Sequence, residues 1–382
     1  SPDVANHIRK VYSDEKRIKV KTIATNKGIS GNSNEALAMA SGEYISLLDH
    51  DDVLTKDALY EVVKVINTVS DVDFIYSDED KTDIDGLSFF EPAFKPDFAP
   101  DFLRTNNYIC HFTTIKKSLL EKVGNYFISE YDGAQDYDLF LRCTEQATSI
   151  VHIPKVLYHW RVHKGSTAAN TSSKPYTHIA GKKALEAHLQ RINRRGLVSE
   201  CTSGSYDNTF KINYELINRP LVSIIIPNYN HKDDLQKCIT SIFKSSYTNY
   251  EILIVENNST DQALFDYYDD LKTKDCVKVL YWKHEFNYAA INNWAAQQAK
   301  GEVFVFMNND IEIINSDWIE EMLSFTQFSE VGAVGAKLYY PDNTIQHGGI
   351  IVGVEGVAGH SFRFADKYSE GYMKRLVTVQ NL

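Results

Sequence analysis

Cysteine is scarce in this chain, and nothing in its spacing suggests pairing. The 382 residues hold five (Cys110, Cys143, Cys201, Cys238 and Cys276), with no CxxC among them. That argues against a disulfide framework and for reduced thiols whose default role is packing. No apolar run approaches the roughly 18 residues of a membrane span, and the opening SPDVANHIRK does not read as a secretory leader. Positive charge is also short: 40 Lys and Arg against 51 Asp and Glu leave a net charge of −11. Nucleic-acid binders draw most of their affinity from a basic face, so nucleic acid is excluded as a partner. GxGxxG and GxxxxGK[ST] are absent, which weakens dinucleotide and P-loop readings. An acidic protein can still take a phosphorylated ligand through a metal ion.

What the chain does have is an internal repeat. NEALAMASGEYISLLDHD and NWAAQQAKGEVFVFMNND are versions of one segment. Gly42 and Gly301, Asn34 and Asn293, and Asp51 and Asp310 each lie 259 positions apart. Each copy reads as a helix, a Gly turn, a hydrophobic strand and an acidic cluster. A period this long means duplicated domains, since solenoid units recur at roughly 20–50 residues.

Three regions follow. Residues 1–167 alternate strands and helices, with strands expected at Lys19–Ile23, Tyr44–Leu48, Asp73–Tyr76, Tyr108–Ile115 and Val156–Val162. A helix after Thr55 should bury Leu59, Val62, Val63 and Ile66, and another spans Asp136–Glu145. Phe89–Pro100 reads as an irregular loop, and Asp78-Glu79-Asp80-Lys81 as a solvated one. Residues 168–218 read as a connector, with a helix opened by Pro175 and stopped at Gly196, then an alternating strand at Phe210–Leu216. Residues 219–382 begin a second α/β unit. Its Leu221–Ile226 run is continuous and β-branched, as in a parallel strand covered on both faces. Strands at Glu251–Val255, Val277–Tyr281 and Val303–Met307 alternate with helices, which indicates a parallel sheet.

The acidic clusters, Asp49-His50-Asp51-Asp52 and Asn308-Asn309-Asp310, sit where ligands of open α/β sheets bind, at strand ends. Two carboxylates ~5 Å apart repel by about 3 kcal/mol at an effective dielectric of 20. A diphosphate would add to that charge, so a cation is needed, and oxygen ligands suit Mg²⁺ or Mn²⁺. The alternative is an acidic turn capping the next helix, which recurrence at matching positions disfavours. Pro227-Asn228-Tyr229-Asn230 and Glu256-Asn257-Asn258-Ser259-Thr260-Asp261 also end strands. Their polar side chains can read a base and a ribose, although turn chemistry alone also produces such runs.

The order VSIIIPNYN, EILIVENNSTD, GEVFVFMNND resembles the inverting family 2 glycosyltransferases of the GT-A fold. The first unit resembles the family's later half through GEYISLLDHDD, DFIYSDEDK, GAQDYDLFLR and LYHWRVHKGSTA. The resemblance covers nearly all of the chain except the connector, and is strongest to bacterial tandem enzymes. It implies two Rossmann-like, mostly parallel GT-A domains. It also implies that both are incomplete: Pro220 less the offset falls about forty residues before Ser1, and Asp136 plus the offset falls beyond Leu382. On that expectation the chain is truncated at both ends and inactive alone.

Carried over by residue, the resemblance makes Asp136 the general base, with capping of the helix bearing Leu139 and Phe140 as the alternative. Asp49 contacts the donor, and Asp51, with His163, ligates the metal. Arg161 and Ser166 neutralise the leaving diphosphate. In the second unit, Pro227, Tyr229, Asn230, Glu256 and Asn257 contact the nucleotide. Asp310 matches Asp51, while Asn308 replaces the first Asp on the donor side. The implied activity moves a sugar from a nucleotide-diphosphate donor, a UDP-sugar, to a glycan or lipid-linked glycan with inversion. Mn²⁺ or Mg²⁺ is the cofactor and cell-surface polysaccharide synthesis the setting. The same resemblance implies a cytoplasmic location at the inner face of the membrane, with peripheral membrane association and homo-oligomers as partner states. The competing reading, supported by Asn308, is a non-catalytic pseudo-glycosyltransferase that binds glycan or serves as a scaffold.

Overall fold

The computed structural model describes residues 2–124, 126–162, 175–201, 207–353 and 356–381. His163 and Ser166 lie outside them. The chain folds as two compact units, Ser1–Asn213 with Lys337–Leu382, and Tyr214–Ala336. This differs from the three-part sequence reading, because most of the expected connector and the last segment both belong to the first unit. The helix Pro175–Arg191 buries Ala184, Leu185 and Leu189, and its His188 Nδ1 lies 2.7 Å from Glu145 Oε1. From the last segment, Asn381 Nδ2 donates to Asp101 Oδ2 at 2.8 Å and Tyr372 Oη to the Pro92 carbonyl at 2.7 Å.

The first unit is built on a mixed six-stranded sheet. Its strands are β1 (Tyr44–Ser46), β2 (Val53–Leu54), β3 (Phe74–Thr82), β4 (Phe89–Ala93), β5 (Thr113–Lys116) and β6 (Ile150–Arg161). The order is β1-β5-β3-β6-β2, with β4 on β3. Only β3 and β6 pair in parallel; the other ladders are antiparallel. The helix Ala58–Thr68 covers one face through Ala58 and Val62. The Phe140 ring of the helix Gln135–Gln146 meets Phe74 edge-on at 5.7 Å.

Several local expectations need correction. Lys19–Ile23 forms no strand; a β-branched run becomes one only where a neighbour supplies its ladder. Leu59 and Val63 are exposed, and the buried face of their helix is Ala58, Glu61 and Val62. Phe89–Ala93 is a strand, part of a hairpin with β3 whose register joins Lys81 to Phe90. The helix from Pro175 stops at left-handed Asn193 (φ 55°) rather than at Gly196. Arg194 N–H bonds the Leu189 carbonyl at 2.9 Å and Asn193 N–H the Gln190 carbonyl at 3.1 Å, which closes a Schellman turn.

In the second unit the expected parallel sheet is present. Adding β7 (Gly196–Glu200) and β8 (Phe210–Tyr214), which pair with each other, the numbering continues with β9 (Val222–Asn228), β10 (Tyr250–Glu256), β11 (Val277–Tyr281) and β12 (Val303–Phe306). The order is β11-β10-β9-β12, all parallel. Val222, Ile224 and Ile226 enter a core with Leu235, Ile239 and Ile242 of the helix Lys232–Ile242. Ile225 packs on the other face against Ile291 and Ala295, so β9 is sandwiched as its sequence demands.

Both copies of the repeat fold as helix, turn and strand, but β1 pairs antiparallel with β5 while β12 pairs parallel with β9. Gly301 shows why the second copy keeps its glycine. A Cβ there would meet the Leu221 carbonyl oxygen and Ser223 Oγ at 2.6 Å and Ser223 N at 2.7 Å. Gly301→Ala is expected to lower the stability of this unit by about 1–3 kcal/mol, read as a fall in urea midpoint. Gly332→Ala, where a Cβ meets nothing within 4 Å, is the neutral control; equal midpoints for the two variants would refute the steric account.

Candidate functional site

In the second unit the three polar motifs converge at the carboxyl ends of β9, β10 and β12. Asn228 joins them. Its Nδ2 donates to Tyr268 Oη at 2.8 Å and to the Asn230 carbonyl at 3.0 Å, and its Oδ1 accepts from Asn309 Nδ2 at 2.6 Å. Asn230 adopts φ 52°; its N–H donates to Ser259 Oγ at 2.7 Å, and its Oδ1 accepts from Thr260 N–H at 3.0 Å. A cavity of about 220 Å³ opens above these ends, lined by Pro227, Tyr229, Asn257, Phe286, Tyr288 and Asn308 among others. The structure therefore gathers Pro227, Tyr229, Asn257 and Asn308 around one cavity. Glu256 is buried beneath it and accepts from Ser259 N–H at 2.5 Å, Ser259 Oγ at 2.8 Å and Tyr268 Oη at 2.7 Å. These bonds hold the loop that follows β10. Asp310 is exposed and joins no group of three potential metal ligands among the described residues.

The first unit holds such a group. One ligand atom each of Asp49, Asp52 and His111 lies within 4.8 Å of the others. Asp52 is fixed by Arg161 N–H at 2.8 Å and by the Tyr158 hydroxyl. Burial raises its pKa, against those two hydrogen bonds. Asp51 lies beside the group, with Oδ1 3.7 Å from His50 Nδ1. Arg161 Nε donates to the Asp51 carbonyl at 2.5 Å, and its Nη1 to the carbonyls of Ile84 and of Asp83, the latter at 3.4 Å. The guanidinium expected to face diphosphate is thus engaged in joining the acidic loop to the β3–β4 hairpin.

His111 ties this cluster to buried charge. Glu79 Oε2 accepts from His111 N–H at 3.1 Å and stands 3.2 Å from His111 Nδ1. Lys95, its side chain wholly buried, donates to the same oxygen at 3.2 Å. Burial opposes the charged form of Glu79, but Lys95 and His111 outweigh it and hold the carboxyl at about 2. Burial likewise favours a neutral His111 ring, and Glu79 outweighs it to raise the imidazole pKa. Asp136 stands in the first turn of its helix; the N-cap is Ala134, so the capping role is not its own. Asn107 Nδ2 donates to Asp136 Oδ2 at 3.0 Å. Burial raises the Asp136 pKa, opposed by the His111 charge. The Cys110 thiol between these groups is pushed up by burial and then by Asp136 and Glu79.

Sequence reasoning missed Asp52, His111, Glu79 and Lys95. Asp52 stood inside the quoted acidic run, whereas His111 fell within the expected strand Tyr108–Ile115, of which only Thr113 onward pairs, as β5, and its spacing signals nothing. The Asp78–Lys81 run is no solvated loop: it lies in β3, and Asp78 accepts from Lys95 N–H at 2.8 Å and pairs with His152 Nε2 at 2.8 Å.

A parallel α/β sheet with a polar cavity at its strand ends in one unit, and a mixed α/β sheet in the other, fit the GT-A class of fold. The chain belongs to glycosyl transferase family 2, whose sequence profile matches residues 1–124 and 223–351. It is 40% identical over its whole length to an uncharacterized protein, y4gI, of Sinorhizobium fredii, covering 42% of that protein. It is 38% identical over 95% of its length to the O-antigen biosynthesis protein RfbC of Myxococcus xanthus, covering 28% of it. The chain thus spans less than half the length of either relative. Among solved structures, S. aureus TarS 1-349 in complex with UDP-GlcNAc matches 50% of this chain and 55% of that one at 21% identity and TM-score 0.39. No helix among the described residues is long and apolar enough to cross a membrane.

Proposed function

We propose that the protein containing this chain transfers a sugar from a nucleoside-diphosphate donor, a UDP-sugar, to a glycan acceptor with inversion, in the synthesis of a bacterial surface polysaccharide. The observation that carries this reading is the grouping of Asp49, Asp52 and His111, with the half-buried Asp136 close enough to feel the His111 charge. Two carboxylates and an imidazole suit Mn²⁺ better than Mg²⁺, which prefers oxygen alone. When bound, the metal would neutralise the diphosphate and favour its departure.

The remaining chemistry belongs to the chain. Asp136 takes the proton from the acceptor hydroxyl as that oxygen attacks the anomeric carbon. Burial makes its carboxylate a stronger base than an exposed one, and Asn107 fixes its orientation. Asn107 Oδ1 is itself buried with no partner among the described residues, an acceptor suited to a hydroxyl. Taken by itself, the cavity of the second unit is a separate site, where Tyr229 would stack on a nucleotide and the Asn257 amide would contact it. Asn257 Nδ2 already donates to the His284 carbonyl at 3.0 Å, so its Oδ1 is the atom that would read a base. The lineage of the O-antigen relative supports a surface-polysaccharide setting.

The test is turnover of radiolabelled UDP-sugars by the complete protein. Chelation with EDTA should abolish transfer and Mn²⁺ restore it. Asp49→Ala should need at least ~10-fold more Mn²⁺ for half-maximal rate. Metal-independent turnover, or an unchanged requirement in Asp49→Ala, would sink the proposal.

A further inference from the structure

We infer that Glu79 is a positioning residue for the proposed metal site, acting through His111, with Lys95 as its buried counter-charge. The inference rests on the metal-site reading of Asp49, Asp52 and His111. A histidine has two ring nitrogens, and the hydrogen bond made by one decides which is free to bind a metal. Here Nδ1 lies 3.2 Å from Glu79 Oε2, an acceptor, so Nδ1 carries the proton and Nε2 the lone pair. Metal-ligating histidines commonly donate their other N–H to a carboxylate in this way.

The ring is restrained on its face as well as at its edge. Tyr158 stacks on it at 4.6 Å with an interplanar angle of 15°. The same Tyr158 hydroxyl donates to Asp52, so one side chain orients two of the three ligands. Glu79 also accepts the His111 backbone N–H at 3.1 Å, which fixes the segment that carries the ring. Lys95 completes the arrangement. Its three ammonium protons have three acceptors: Glu79 Oε2 at 3.2 Å, the Ile109 carbonyl at 2.7 Å and the His111 carbonyl. A fully buried ammonium is costly unless every donor is satisfied. A surface histidine requires none of this apparatus; a ligand held in one tautomer and one plane does.

The experiment measures Mn²⁺ affinity of the complete protein by the electron paramagnetic resonance signal of free Mn²⁺, with no sugar present. His111→Ala and Glu79→Gln are each expected to weaken binding, the latter by about 10–100-fold. Their combination should be no weaker than His111→Ala alone, because Glu79 acts only through the ring. Since Glu79→Gln strands the Lys95 charge, the neutral pair Glu79→Gln/Lys95→Met is made alongside it. It should fold, yet still bind Mn²⁺ about 10-fold or more weakly. Wild-type affinity in the neutral pair, with His111→Ala impaired, would overturn the role of Glu79 and leave the metal site standing. Wild-type affinity in His111→Ala would overturn both.

Discussion

Asp136→Asn should lower kcat of the complete protein by about 10²–10⁴-fold, the span that positioned base catalysis typically contributes. The amide keeps the size of the carboxylate and its place in the first helical turn. The loss should therefore fall on the chemical step, with donor KM and Mn²⁺ affinity within about twofold of wild type. Because burial raises the Asp136 pKa, the acid limb of the wild-type profile should lie above the ordinary carboxylate value of 3.8. Activity is then lost as pH falls through that raised value, and the Asn variant should show no such limb. An Asn variant with kcat near wild type would remove Asp136 from the mechanism.

Lys95→Met should be the most destabilising single change in the first unit. Removing one partner of a buried ion pair typically costs about 3–5 kcal/mol, because the other charge is left unpaired. Natural domains have only about 5–15 kcal/mol to lose. Titration of Glu79 gives an independent scale. Its pKa is depressed from 4.5 to about 2, so its contribution is present above pH 4.5 and is lost as pH falls from there through about 2. That depression corresponds to roughly 3 kcal/mol at neutral pH. Urea unfolding of wild type should show this acid loss, and Lys95→Met should have lost the Lys95 share of it already at neutral pH, with His111 keeping the remainder. A variant within about 1 kcal/mol of wild type would mean that water reaches the Glu79 carboxylate.

The parts of the fold legible in the sequence are those set by local pattern. β9 and β10 are continuous apolar runs because both faces are covered, and their polar ends mark the ligand edge of a parallel sheet. The helix bearing Asp136 was legible too, although it buries every residue from Tyr137 to Cys143 rather than one stripe. What escaped depends on pairing across distance. β4 contains Pro92 and exposed Phe89 and Phe90, a composition that is strand only because β3 offers an open edge. Glu79, Lys95 and His111 sit on three segments, and in sequence a buried charge looks like any surface charge. Asp51 was distinguished from Asp52 by family pattern alone; in the fold, the Tyr158 hydroxyl and the Arg161 N–H select Asp52 for the cluster.

Arg161 gives the hairpin between β3 and β4 a role that its sequence does not announce. One guanidinium grips the Asp51 carbonyl on one side and the Asp83 and Ile84 carbonyls on the other. Gly86 (φ 71°) lies so close that a Cβ there would be 3.4 Å from Arg161 Nη1. The acidic loop and the hairpin tip are thereby geared together. A designer who shortens, lengthens or grafts residues 83–88 would tilt Asp51 without editing any ligand. Hairpin exchange is therefore a way to move the acidic loop from its periphery.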